Sequence, residues 1–160
     1  MYQRILVPVD GSPTSDKGLD EAVKLARLTG AELRLVHVVD QLSFASGLDP
    51  YGAYAGDLIT SLRETGEGVL AQAKSRVEAL GIKVESRLFD NFANRVSDMV
   101  IEEARDWGAD LIVIGTHGRR GISRWMLGSD AEQIVRMAPV PVLLIRMPGV
   151  VGDSGPRQTG

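Results

Sequence analysis

Leu111-Ile112-Val113-Ile114 is an unbroken apolar run, followed at once by Gly115. It is too short for a helix and has no polar face to turn to water. It therefore reads as a strand covered on both sides, as in a parallel sheet. Four more segments read as strands: Arg4 to Val9, Leu33 to Val39, Ile82 to Leu88, and Val140 to Arg146. Helical patterns separate them. Leu19, Ala22, Val23 and Ala26 recur at i, i+3, i+4 and i+7. From Leu58 to Leu80 the inward set is Leu62, Val69, Ala73, Val77 and Leu80, and from Asn94 to Trp107 it is Val96, Val100, Ala104 and Trp107. A last helix spans Ser129 to Met137. Strands alternating with helices predict an α/β doubly wound parallel sheet, with right-handed crossovers and helices on both faces.

The punctuation agrees. Ser12 before Pro13 suits an N-cap followed by a first helical residue. Gly30, Gly81 and Gly108 stand where helices should stop. Gly66 and Gly68 weaken the second helix, by up to about 1 kcal/mol each relative to Ala. Ser129-Asp130-Ala131-Glu132 has the form of a capping box, with Ser129 as N-cap. Residues 40–57 have no clean period and read as a long loop, which is uncommon without a function or disorder. Gly47, Gly52 and Gly56 would let it move, and Phe44, Tyr51 and Tyr54 could cover a ligand or meet a partner.

At 160 residues, 44% hydrophobic and 24% charged, the chain fits one domain with an ordinary core. The domain is expected over 1–147, with a disordered Gly/Ser/Pro-rich tail at 148–160. A net charge of −3 exerts no global pull on nucleic acid or an anionic membrane. No cysteine is present, so there is no disulfide framework. The chain enters a strand without a leader and has no run long enough to span a membrane, so the expected location is cytoplasmic.

Residues 115–129 hold four glycines, three arginines and no acid, between a strand and a helix start. Glycines let backbone N–H groups come close to a ligand, and a helix N-terminus favours an anion. The combination suits a phosphate chain. Other nucleotide chemistries lack their signatures. There is no G-x-x-x-x-G-K-[ST], no G-x-G-x-x-G after the first strand and no G-x-S-x-G elbow. A phosphoacceptor receiver would want clustered acids after the first strand and a Lys near the fifth, where this chain has Asp10 and Arg146. Asp10 is open between ligand or metal contact and a turn-forming role. His37, in register with Leu33 and Leu35, reads as a satisfied interior histidine. His117 is open between phosphate or ribose contact and no ligand role. Arg119, Arg120 and Arg124 are open between phosphate, a partner and solvent, while Trp125 and Met126 read as packing.

The spacing G-x2-G-x9-G-[ST], formed by Gly115, Gly118, Gly128 and Ser129, resembles the ATP-binding signature of the universal stress protein family. Ile5-Leu6-Val7-Pro8-Val9-Asp10-Gly11-Ser12 and Ala138-Pro139-Val140-Pro141-Val142-Leu143-Leu144-Ile145-Arg146 agree with it. The resemblance covers residues 2–147. It implies the strand order 3-2-1-4-5, with ligands outside the carboxyl ends of strands one and four. It also implies that ATP, with Mg²⁺, is the cofactor. Pro8, Val9 and Asp10 would line the crevice, Val38 would sit by the adenine, and Ile114 near the nucleoside. Gly115 would lie under the ribose, and Gly118, Gly128, Ser129 and the Asp130 backbone would hold phosphates. Asp130 departs from the family, which carries an apolar residue there. The resemblance further implies a homodimer through strand five, and a regulatory or binding role in stress response with the downstream partner unnamed. Rival readings are a weak ATPase using the same pocket and a nucleotide-free interaction protein. No general base is legible, which favours binding over hydrolysis.

Overall fold

In the computed structural model, residues 1–40, 55–91, 94–117 and 127–147 are described. They form β1 (Arg4–Pro8), α1 (Pro13–Thr29), β2 (Glu32–Asp40), α2 (Ala55–Glu78), β3 (Val84–Asn91), α3 (Val96–Trp107), β4 (Leu111–Gly115), α4 (Ser129–Met137) and β5 (Val142–Ile145). The five strands are all parallel, in the order β3-β2-β1-β4-β5. Most of the expected loop 40–57 and all of the expected tail 148–160 lie outside the described residues; Asp40 closes β2, and Gly56 and Asp57 belong to α2. No helix among the described residues is long and apolar enough to cross a membrane.

Alternation along the strands divides the apolar side chains between two layers. Ile5, Val7, Leu33, Leu35, Leu111 and Val113 pack under α1 and α2, with Leu19, Ala22, Leu70 and Val77 among their partners. Leu6, Val36, Ile112 and Ile114 pack under α3 and α4, with Val100, Ala104, Trp107, Ala131 and Ile134. The unbroken run at 111–114 is thus buried on both faces, as its composition requires. Local signals set the helix ends. The Ser12 hydroxyl accepts the Ser15 N–H at 3.2 Å with Pro13 in the first turn. Gly30, Gly81 and Gly108 take left-handed φ of 74°, 73° and 70°, which other residues rarely adopt.

Two expectations need correction. Leu80 is 45% exposed rather than inward. The helix ends at Glu78, so Leu80 falls in the following turn and leaves the helical stripe. The buried stripe of α2 is Gly66, Leu70, Ala73 and Val77. Gly66 is therefore more than a weak point. A Cβ placed there would lie 2.6 Å from His37 Cδ2 and 3.0 Å from Leu88 Cδ1. The missing side chain lets α2 approach the sheet over the His37 ring.

On the opposite face, Glu103 of α3 is 2% exposed, an acid on the same helical stripe as Val96, Val100 and Trp107. Arg34 Nη1 of β2 reaches it at 2.7 Å and Arg87 Nη1 of β3 at 2.5 Å. Arg34 also pairs with Glu85, and its guanidinium lies 4.6 Å from the centre of the Trp107 ring. A buried charge survives only when paired in this way.

Gly66→Ala separates propensity from packing. Propensity alone would stabilise the helix by up to about 1 kcal/mol. Overpacking against His37 should instead cost about 1–3 kcal/mol. Urea denaturation with a lowered midpoint is the expected outcome, and a raised midpoint would refute the packing account.

Candidate functional site

The strand order reverses direction between β1 and β4, and crevices in such sheets open beyond the carboxyl ends of the strands at that point. Each residue there is held by an identifiable contact. Val9 continues the β1 ladder, donating its N–H to Val36 O at 2.8 Å. Its carbonyl lies 2.8 Å from His37 Nδ1, and since a carbonyl only accepts, Nδ1 carries the proton. His37 is buried and satisfied, as its register predicts.

Asp10 begins the turn into α1. Its Oδ1 accepts the Ser12 N–H at 2.8 Å, and its own N–H donates to Ser15 Oγ at 3.1 Å. Gly11 between them has φ 77°. This is the turn-forming role that an Asp side chain plays two residues ahead of an N–H. Among the described residues no three acids or histidines gather as a metal-ligand set.

The first turn of α1 lies directly over the end of β4. A Cβ on Gly115 would stand 2.7 Å from Thr14 Cγ2 and 3.0 Å from Thr14 O. Only a glycine permits that approach. Ile114 beside it is 4% exposed, and Val38 at the end of β2 is half-buried. Beyond Gly115, Thr116 donates its N–H to Ile145 O and accepts the Gly128 N–H on its own carbonyl, both at 2.9 Å. The two ends of the glycine-rich segment are therefore latched together. Gly118, Arg119, Arg120, Arg124, Trp125 and Met126 lie outside the described residues.

The capping box does not form. Gly128 is the N-cap of α4, with φ −58° and ψ 147°, and no side chain caps the helix. Glu132 donates its N–H to Gly128 O at 2.9 Å. Ser129 thus stands one residue inside the helix, exposed, with its hydroxyl not used as a cap. An uncapped helix start leaves donors in its first turn for an anion.

Asp130 turns away from that start. Its Oδ1 accepts the Ser97 N–H at 3.3 Å, in the first turn of α3, so α4 supplies a carboxylate to its neighbour's N-terminus. Burial pushes the Asp130 carboxyl above its ordinary value of 3.8; the bond from Ser97 opposes this and the Asp40 charge adds to it. His117 is held by Nδ1, 2.9 Å from Thr116 Oγ1. Its Nε2 is buried and without a hydrogen-bond partner. A buried polar atom left so costs about 1–3 kcal/mol.

Some of these contacts carry no sequence signal. Thr14 over Gly115, the Thr116–Gly128 latch and Ser97 opposite Asp130 all join residues through the fold alone. Pro8, Val9, Asp10, Ile114 and Gly115 lie at or just past the carboxyl ends of β1 and β4, and Gly128, Ser129 and Asp130 at the start of α4. Val38 lies at the same end of β2.

A raised carboxyl means the folded state disfavours ionised Asp130. That penalty is absent below the ordinary carboxylate value, sets in as pH rises through the raised folded value, and persists above it. Asp130→Asn keeps an oxygen for the Ser97 N–H and removes the charge. It should melt higher than the wild type at pH 7, with the gap closing below about pH 4. Thermal denaturation across that range checks this, and equal melting at every pH would refute it.

Residues 1–146 match the family described as the Universal stress protein family. A universal stress protein of Methanocaldococcus jannaschii is 34% identical over 149 residues, covering 92% of this chain and 84% of its own. A universal stress protein of Archaeoglobus fulgidus, solved in complex with dAMP, superposes with a TM-score of 0.63. It is 27% identical and covers 90% of this chain and 98% of its own. A universal stress protein solved in complex with cAMP gives 0.62 at 25% identity, over 91% and 97%. The chain belongs to the universal stress protein family.

Proposed function

We propose that this universal stress protein binds an adenine nucleotide, ATP with Mg²⁺ foremost, and acts as a nucleotide-dependent binding module rather than as an enzyme. The observation that carries the reading is the uncapped start of α4, set just past the latch at the end of β4. Ser129 offers both its N–H and its hydroxyl there. Pro8, Val9 and Asp10 would edge the crevice, Val38 would offer apolar surface to a base with Ile114 buried nearby, and Gly115 would lie under the ribose while Thr14 packs against it. Gly118 and the Asp130 backbone would complete the phosphate contacts. The relatives solved with dAMP and cAMP support an adenine nucleotide. Mg²⁺ would arrive on the phosphates and keep most of its waters, as it commonly does. The cytoplasm is the compartment in which such a ligand is abundant.

Mass spectrometry of the protein as purified should release an adenine nucleotide. Gly128→Val should lower ATP affinity at least tenfold in calorimetry. The new Cβ would stand 3.3 Å from Thr116 O, and the branched side chain would force the latch apart. Wild-type affinity in that variant, or no nucleotide bound to the wild type under any condition, would defeat the reading.

We further read the free edge of β5 as a homodimer seam. Leu143 is 37% exposed on the strand, on the face that α1 covers, and Val135 and Met137 are 46% and 52% exposed on α4, which packs on the other face. The other edge, β3, carries Glu85, Arg87 and Asp90. An apolar edge invites antiparallel pairing with a second copy, and charge discourages it. Sedimentation at tens of micromolar should show a dimer that Leu143→Lys dissociates. A monomeric wild type, or a variant that stays dimeric, would overturn this.

A further inference from the structure

The last turns of α1 and α2 face each other across an open groove of about 280 Å³. Each helix runs back to the amino end of the next strand, so the groove lies at the end of the sheet away from the β1–β4 crevice. Asp20, Val23, Lys24 and Arg27 line it from one face of α1, and Arg76, Val77 and Leu80 from α2 and the turn after it. The floor is apolar. Val23 and Val77 are buried, and Leu80 is 45% exposed. Around that floor stand three cations and one acid, on a chain whose net charge is −3. The cations are not equivalent. Lys24 is held by Glu21 at 2.5 Å, and Arg76 by Asp20. Arg27 makes no ion pair with any described residue. It lies seven residues past Asp20 on α1, two turns or about 10 Å further along. A cation in a last helical turn is favoured by the dipole, which accounts for Arg27 but not for a half-exposed leucine in the same groove.

Small-molecule pockets are commonly about 300–1,000 Å³ and enclose most of their ligand. This groove is smaller and open, with the Lys24 and Arg76 side chains 65% and 46% exposed. That form suits a protein segment. We propose that the groove docks an acidic amphipathic helix of a partner protein, its apolar side chains on Leu80 and Val23 and a carboxylate at each end, on Arg27 and on Arg76. The spacing matches. Carboxylates at i and i+7 of one helix are also two turns apart, with apolar residues at i+3 and i+4 between them on the same face. Arg27 offers its whole donor fork to the first carboxylate. Arg76 is shared with Asp20, because an exposed pair of that kind holds its members only weakly. Asp16, Asp20 and Glu21 along the same rim would repel a polyphosphate chain, so the charges fit an acidic peptide better than a nucleic acid.

NMR spectra of the full chain test this with three probes: a synthetic helical peptide with Glu at i and i+7 and Leu at i+3 and i+4, the same peptide with Lys in place of Glu, and a single-stranded oligonucleotide. The Glu peptide should move the Arg27 Nε–H and the Lys24, Val77 and Leu80 amides, and should bind more weakly as salt is raised. Arg27→Glu should weaken that peptide about tenfold and tighten the Lys peptide, as reversing one charge of a contact pair would. Arg27 is exposed, and unchanged thermal melting checks that the variant folds. Equal binding of the Glu and Lys peptides, shifts confined to residues outside the groove, or no shift at millimolar Glu peptide would overturn the proposal. An oligonucleotide that moves the same residues at lower concentration than the Glu peptide would overturn it in favour of a nucleic-acid surface.

Discussion

The close approach of α1 to the end of β4 is the constraint on which the site depends. Thr14 sits where a Gly115 side chain would be. The approach is possible because Ser12, Asp10 and Ser15 bind one another into a fixed turn that starts the helix at Pro13. If either the glycine or the turn were lost, α1 would have to lift from the sheet. The crevice between β1 and β4 would then lose its wall. The candidate site is thus framed by the packing of two chain segments about a hundred residues apart.

The other face of the sheet is held differently. There an acid, Glu103, is buried between two arginines from adjacent strands, with Trp107 stacked on one of them. Removing one member of such a cluster leaves an uncompensated charge inside, which typically costs about 3–5 kcal/mol. The net stabilisation from the intact cluster is smaller, because both partners were well solvated before folding. Its geometric effect is plain: α3 can lie across β2 and β3 in only one register. Asp130 acts likewise between helices, tying α4 to the start of α3.

Strand and helix order was legible because the apolar runs and the stop glycines are local signals. Gly30, Gly81 and Gly108 end helices for reasons that involve no other part of the chain. The strand order 3-2-1-4-5 was legible only through family resemblance, since periodicity says nothing about neighbours. What local reading could not reach was whatever depends on a contact at long range. Gly66 looked like a weakness because propensity is a property of one helix, whereas its use is to make room for His37 on another element. Ser129 looked like a cap because the four-residue pattern is right. The latch to Thr116 shifts the cap to Gly128 and leaves the serine unengaged. Glu103 stands on the inward stripe, but an acid on a helix reads as a surface residue until two arginines are brought to it.

The hydrogen bond between Gly128 and Thr116 has a consequence for how the rim can change. The protein itself fastens both ends of the intervening segment, whatever that segment holds. Closing a longer or shorter loop between fixed ends changes the entropy only slowly, by about 0.6 kcal/mol for each doubling of length. The framework on either side, β4 and α4, keeps its register throughout. The segment is in effect an exchangeable cassette. Its length and composition can be rewritten while the clasp that carries it, and the sheet beneath, stay as they are.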